Sequence, residues 1–272
     1  MNNLLAVWQI AGATLRRKRS GLLIFALAAA GFHALVATSF PAIGGAAVVS
    51  SVVQTFPPGL RTLLKLAPNL QAGFGLQDYL AFSWFHPVFL GLGSAFVVGR
   101  ASDALTGSIE SGSIYLLLSR PLPRWAFVTG KMAELLLGAG LIALAAWVGL
   151  WLGAISTLTE PLPFLRYGLV ALMAWLLFAA LGAGALVISS LASRTAVSSG
   201  AGSAWTLLAF VLDVIPAVAN SRLAWLNPWH HYFPQAIVAT GRVDVMGVAV
   251  LVGWVMIGTG VAVWIFGKRD LG

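Results

Sequence analysis

Six stretches of about twenty apolar residues lie at 21–40, 80–99, 132–155, 167–189, 196–219 and 245–266 of this 272-residue chain. A helix rises about 1.5 Å per residue and the hydrocarbon core is about 30 Å thick, so each stretch can cross a bilayer alone. Lipid offers a backbone amide no partner, and a crossing segment must close its own hydrogen bonds as a helix. The chain therefore reads as an all-α integral membrane protein with six transmembrane helices in one domain, 1–272. Composition agrees, because 59% hydrophobic and 9% charged residues, with a mean hydropathy of +0.91, leave too little polar surface for water.

An even number of spans puts both termini on one side. Eleven of the sixteen Lys and Arg residues fall there: Arg16, Arg17, Lys18, Arg19, Arg100, Arg120, Arg124, Lys131, Arg194, Lys268 and Arg269. Arg61, Lys65, Arg166, Arg222 and Arg242 fall on the other side, while the acidic residues divide evenly. That is the positive-inside pattern. It predicts a multi-pass protein of the cell inner (cytoplasmic) membrane with both termini cytoplasmic. Topology and anionic headgroups thus explain the net charge of +8, and nucleic acid is not expected as a partner. With no cysteine in the chain, disulfides, thiolate metal sites and cysteine nucleophiles are excluded.

The connections carry their own signals. Within 1–19, Leu4, Leu5, Trp8, Ala11 and Leu15 recur at helical spacing ahead of four basic residues, which predicts an amphipathic helix on the inner leaflet. In the long 41–79 loop, a short helix after Pro57 and Pro58 is expected to end before Pro68 and cap the bundle. The 220–244 segment is Pro-broken yet rich in Trp225, Trp229, Tyr232 and Phe233, and reads as a helical hairpin dipping into the outer membrane edge. His86 before Pro87 predicts a kink with a polar lining in the second span. Asp213, near the end of the fifth span, is either a pathway-facing or paired carboxylate or a solvated outer end.

No enzyme chemistry assembles. A phosphate-binding loop needs a glycine five residues before Gly-Lys and a hydroxyl residue after it; here Gly130 and Lys131 are preceded at that spacing by Trp125 and followed by Met132. The chain is expected to hold no ATP site and no cofactor. His230 and His231 are adjacent and point apart on regular structure, so no metal site is expected. The serines and threonine between 106 and 113 have no histidine near them in sequence, which disfavours a serine hydrolase.

The polar segment 100–131 is the candidate for function. Ile109, Ile114, Leu117 and Leu118 fall at helical spacing over 108–119, and Arg120, Pro121 and Pro123 end that helix. A short helix along the membrane, ringed by Arg100, Glu110, Arg120 and Arg124, suits either a docking surface or a lipid-lying connector. The stretch ESGSIYLLLSRPLPRWAFVTGK resembles the loop between the second and third spans of type-2 ABC transporter permeases. Glu110, Gly112, Ser113, Leu116, Leu117, Leu118, Ser119, Arg120, Pro121, Arg124, Gly130 and Lys131 follow the family order, whereas Tyr115 stands where many members carry a second glutamate. LNPWHHY at 226–232 is similar to the family's outer loop, and FGKRDL at 266–271 to its basic tail.

The resemblance implies a cytoplasmic nucleotide-binding ATPase as partner, carrying ATP and Mg, and a second permease copy, identical or related. Glu110, Gly112, Ser113, Leu117, Leu118, Arg120, Pro121 and Arg124 would form the ATPase-coupling site, with His86, Pro87 and Asp213 as possible pathway or kink residues. The expected function is the transmembrane subunit of an ATP-driven exporter. Spans of Gly, Ala, Leu and Trp suit an amphipathic, drug-like or lipid-like cargo. Two alternatives stay open: a permease of a metal-site maturation system, and an ion-coupled carrier or channel. The latter calls for several intramembrane charges, and Asp213 alone does not supply them.

Overall fold

A computed structural model describes residues 3–66, 74–118, 122–159 and 161–270. Their regular elements are α1 (Asn3–Arg17), α2 (Arg19–Ala42), α3 (Gly45–Gln54), α4 (Pro58–Leu63), α5 (Leu76–Phe85), α6 (Pro87–Ser102), α7 (Ser108–Glu110), α8 (Ser113–Leu118), α9 (Arg124–Thr157), α10 (Phe164–Leu191), α11 (Thr195–Val214), α12 (Pro216–Ala219), α13 (Pro234–Thr240) and α14 (Val245–Lys268). Among the described residues no strand occurs, and six helical stretches are long and apolar enough to cross a membrane: α2, the run Leu76–Glu110, α9, α10, α11 and α14. This is a multi-pass, all-α membrane fold.

The second span runs on to Glu110 instead of ending at 99, and two further span ends differ from the sequence expectation for identifiable reasons. Helix α9 begins at Arg124, about two turns before the apolar run at 132. Ala126, Phe127 and Val128 in that extension are fully buried. Protein contacts therefore hold the extra turns, and counting apolar residues cannot see them. The fifth span stops at Val214 instead of running to 219, because Pro216 has no N–H to donate and forces Ile215 into an extended conformation (ψ 115°).

Helix α10 stands in the middle, packed against α6, α9, α11 and α14, with 72% of its apolar stretch buried; the figures for α2, α11 and α14 are 22%, 17% and 22%. The closest approach of two backbones at a glycine, among the described residues, is elsewhere, between α2 and α9. A Cβ added at Gly149 would lie 2.1 Å from the Ala30 carbonyl oxygen, and one at Gly153 would lie 2.6 Å from that of Ala34. Two glycines four residues apart thus let two backbones touch.

Helix α1 has two different faces. Ala6 and Ala11 are buried while Leu4, Leu5 and Trp8 are exposed, and Ile10 lies directly on Gly130 at the start of α9. The same start of α9 reaches the last turn of α14 through Arg124. Both termini therefore meet at one end of the bundle, the terminal face, and the connections after α2 and α11 form the distal face.

Candidate functional site

On the terminal face the second span does not simply end. It passes through a π-helical turn, Asp103–Gly107, into α7 and then bends at Gly112, whose φ of +69° only glycine adopts cheaply. The helix expected over 108–119 is consequently split, with α7 completing the span and α8 leaving it as a separate elbow. Ile114 is fully buried and anchors the elbow, while Tyr115 and Leu116 are exposed. The Ser113 hydroxyl hydrogen-bonds back to the Ser108 carbonyl at 3.3 Å and to the Ser111 hydroxyl at 3.0 Å, closing the bend.

Two ties join this elbow to neighbouring spans. The first is buried: the Thr106 amide donates to Ser189 Oγ at 3.2 Å and its hydroxyl donates to the Ser189 carbonyl at 3.0 Å, while Ser189 Oγ donates to the Ser102 carbonyl at 3.2 Å. These bonds fix the π-helical turn to the end of α10. The second tie is a cap. Glu110 Oε2 accepts from the Thr195 amide at 2.9 Å and from its hydroxyl at 2.5 Å, placing a carboxylate at the N-terminus of α11, where orphan amides and the helix dipole favour an anion.

Basic residues cap the helices that end on this face. Arg124 donates to the carbonyls of Arg269, Phe266 and Gly267 at 2.6, 3.3 and 3.3 Å. Arg269 donates to the carbonyls of Ser190 and Ala192 at 2.9 and 2.7 Å. Cations thus sit on the last turns of α14 and α10, the favoured end for positive charge. Further in, Arg100 pairs with the buried Glu134 and Lys18 pairs with Asp103. Of the remaining candidate coupling residues, Leu117 and Leu118 fall in the last turn of α8 with side chains outside the described residues, and Arg120 and Pro121 lie outside the described residues entirely.

A six-span bundle with an elbow after its second span is what the family comparison addresses, and a family model described as ABC-2 family transporter protein matches residues 12–271. The chain belongs to this family. No curated protein matches it. It is accordingly a permease subunit of an ABC transporter, and permeases of this family work with an ATPase subunit.

On the permease's distal face the second span breaks at His86, extended at ψ 137°, between α5 and α6. Pro87 has no amide hydrogen, and the His86 ring nitrogen Nδ1 accepts from the Val88 amide at 3.2 Å. The Trp84 carbonyl, which Val88 would engage in a continuous helix, instead accepts from the Tyr232 hydroxyl at 3.1 Å. Tyr232 is fully buried, and burial pushes its phenol well above the ordinary range, so it stays a donor. The expected hairpin over 220–244 takes the form of two 3-10 turns, Arg222–Leu226 and Pro228–His231, followed by α13. Tyr232 plugs the break and Trp229 is buried beside it, while Trp225 and Phe233 stay exposed.

Asp213 of the permease is buried and paired. Lys65 Nζ lies 2.7 Å from one carboxylate oxygen and His230 Nδ1 3.1 Å from the other. Lys65 also donates to the Trp229 carbonyl at 2.7 Å and stands 4.1 Å above the Phe233 ring. His231 turns away, with Nε2 2.9 Å from the Trp225 carbonyl. Sequence reasoning missed Lys65, Thr195, Arg269 and Tyr232 as members of these sites. Their partners lie at least 76 positions away in the chain, and no local spacing signals such a pair.

Proposed function

We propose that the terminal face is cytoplasmic and that the elbow α8, whose last turn carries Leu117 and Leu118 and which Arg120 follows in sequence, is the surface on which the ATPase docks. ATP and its magnesium ion would be held by that partner. The observation that carries the reading is the pair of ties behind the elbow: Thr106 to Ser189 and Glu110 to Thr195. A push on α8 is thereby delivered to spans four and five together, which suits rigid-body rocking of helices driven by ATPase closure. The excess of Lys and Arg on this face supports its cytoplasmic placement in the inner membrane.

A second permease copy completes the transporter in this reading. Helices α2 and α11 are the least covered spans together with α14, and α11 begins with the small-residue run Ser198, Ser199, Gly200, Ala201, Gly202, which permits close approach. The direction is export, and the cargo is amphipathic or lipid-like, in keeping with spans rich in Gly, Ala, Leu and Trp. The test is Leu117→Asp. A buried apolar anchor carries about 2 kcal/mol or more at such an interface, so this variant should insert normally but lose copurification of the ATPase or cargo-stimulated hydrolysis. Retention of both would leave α8 a connector and remove the mechanism.

A further inference from the structure

A cavity of about 610 Å³ opens on the terminal face between α1, the bend around Ser108 to Ser113, and the start of α9. Its polar wall carries Arg17, Lys18 and Lys131, together with Asp103, which pairs with Lys18. Lys131 Nζ reaches Thr14 Oγ1 only at 3.4 Å. Behind this wall Arg100 and Glu134 neutralise each other. At the cavity three cations therefore share one carboxylate, an excess of two positive charges beside open space. The other wall is apolar, formed by Ile10, Ala13, Leu122 and Phe127.

We propose that this cavity is a binding site for the phosphodiester headgroup of an anionic phospholipid, with the phosphate between Arg17, Lys18 and Lys131 and the proximal acyl carbons against Ile10 and Phe127. Basic pockets among transmembrane helices at headgroup depth hold such lipids because Coulomb attraction adds to burial of the chain. The depth is right: α1 exposes Leu4, Leu5 and Trp8 on its outward face, the pattern of a helix in the interfacial plane. Free phosphate would satisfy the cations but has no use for the apolar wall. Burial, then the neighbouring Arg100, Lys131 and Arg17, hold the Lys18 ammonium down to about 8 against the opposing pull of Glu134, and a bound phosphate would lift it.

A lipid seated here would touch α1, the bend before α8 and the start of α9 at once. The site requires no particular partner or cargo, so it stands apart from the proposed ATPase docking.

The test uses the full-length chain purified in neutral detergent and titrated with phosphatidylglycerol, phosphatidylcholine or inorganic phosphate, with retained lipid counted by native mass spectrometry. Phosphatidylglycerol should bind in preference to phosphatidylcholine. Arg17→Gln with Lys131→Gln should weaken it roughly tenfold or more, whereas Arg16→Gln with Arg19→Gln, an equal charge loss beside the cavity, should not. Ala13→Trp fills the cavity without changing charge and should abolish retention even if the paired Gln variant folds poorly. Equal loss in both paired variants, equal binding of the two lipids, or retention in Ala13→Trp would overturn the site. Displacement of phosphatidylglycerol by millimolar inorganic phosphate would assign the pocket to the free anion and sink the lipid reading.

Discussion

The Lys65 ammonium and the Asp213 carboxylate form a buried ion pair at 2.7 Å, their side chains 9% and 2% exposed, so a residue from the first distal connection neutralises the most costly residue of the fifth span. Burial pushes the Lys65 ammonium below its usual range, and Asp213 opposes that push. Removing one partner strands the other charge. Asp213→Asn or Lys65→Met should each destabilise the protein by about 3–5 kcal/mol, and the double variant by clearly less than the sum. Thermal unfolding in detergent measures this; strictly additive losses would show that the pair is not coupled.

Tyr232→Phe keeps the ring in place beside Phe85, 6.4 Å between centroids, and deletes only the hydroxyl that satisfies Trp84. An unsatisfied buried carbonyl costs about 1–3 kcal/mol. The variant should fold and show a lowered unfolding midpoint. A second substitution, Pro87→Ala, restores an amide next to the break and should recover part of the loss. No change in midpoint for Tyr232→Phe would mean that water serves Trp84 equally well.

Gly149→Leu should be the most damaging single change among the glycines of α9. Even a Cβ at that position would enter the Ala30 backbone, and backbone cannot rotate away as a side chain can. Overpacking of this kind costs about 1–3 kcal/mol and sometimes more. Gly140, where an added Cβ would lie 3.3 Å from the Trp175 indole nitrogen, a side chain rather than backbone, gives a control: Gly140→Ala should be mild. Equal expression and midpoint for the two variants would contradict the backbone contact.

Anionic-lipid retention should fall as the pH rises through about 8. Above that point Lys18, held low by burial and by Arg100, Lys131 and Arg17, gives up its proton. The positive charge facing the phosphate then shrinks by one. Bound lipid favours the protonated form, so the decline should lie somewhat above the free protein's midpoint. Phosphatidylcholine retention measured over the same range should stay flat, and Lys18→Gln should flatten the phosphatidylglycerol curve. A profile indifferent to pH in the unsubstituted protein would exclude Lys18 from the site.

How much of this was legible in the sequence follows from the range of the forces involved. The six apolar helices and the break before Pro87 are local, set by apolar periodicity and a missing amide, and they could be read from the sequence. Gly112 was marked by resemblance, and its positive φ supplies a physical reason for glycine there. What stayed hidden was pairing over distance. Glu110 and Arg124 were expected on the ring of the short helix over 108–119, yet Glu110 caps α11 at Thr195 and Arg124 sits on the carbonyls that end α14. Asp213 was left open between a paired and a solvated end because its partner, Lys65, is 148 positions earlier. A single sequence contains no signal for such a meeting.

The crowded surroundings of α10 also bear on how such a chain can change over generations. The fourth span, α10, has 72% of its apolar stretch buried, so an added methylene or charge along most of it has little room. Variation that keeps the fold is confined to helices with an open side, α2, α11 and α14. New specificities for what crosses the membrane would therefore be acquired at the periphery of the bundle while its axis stays constant.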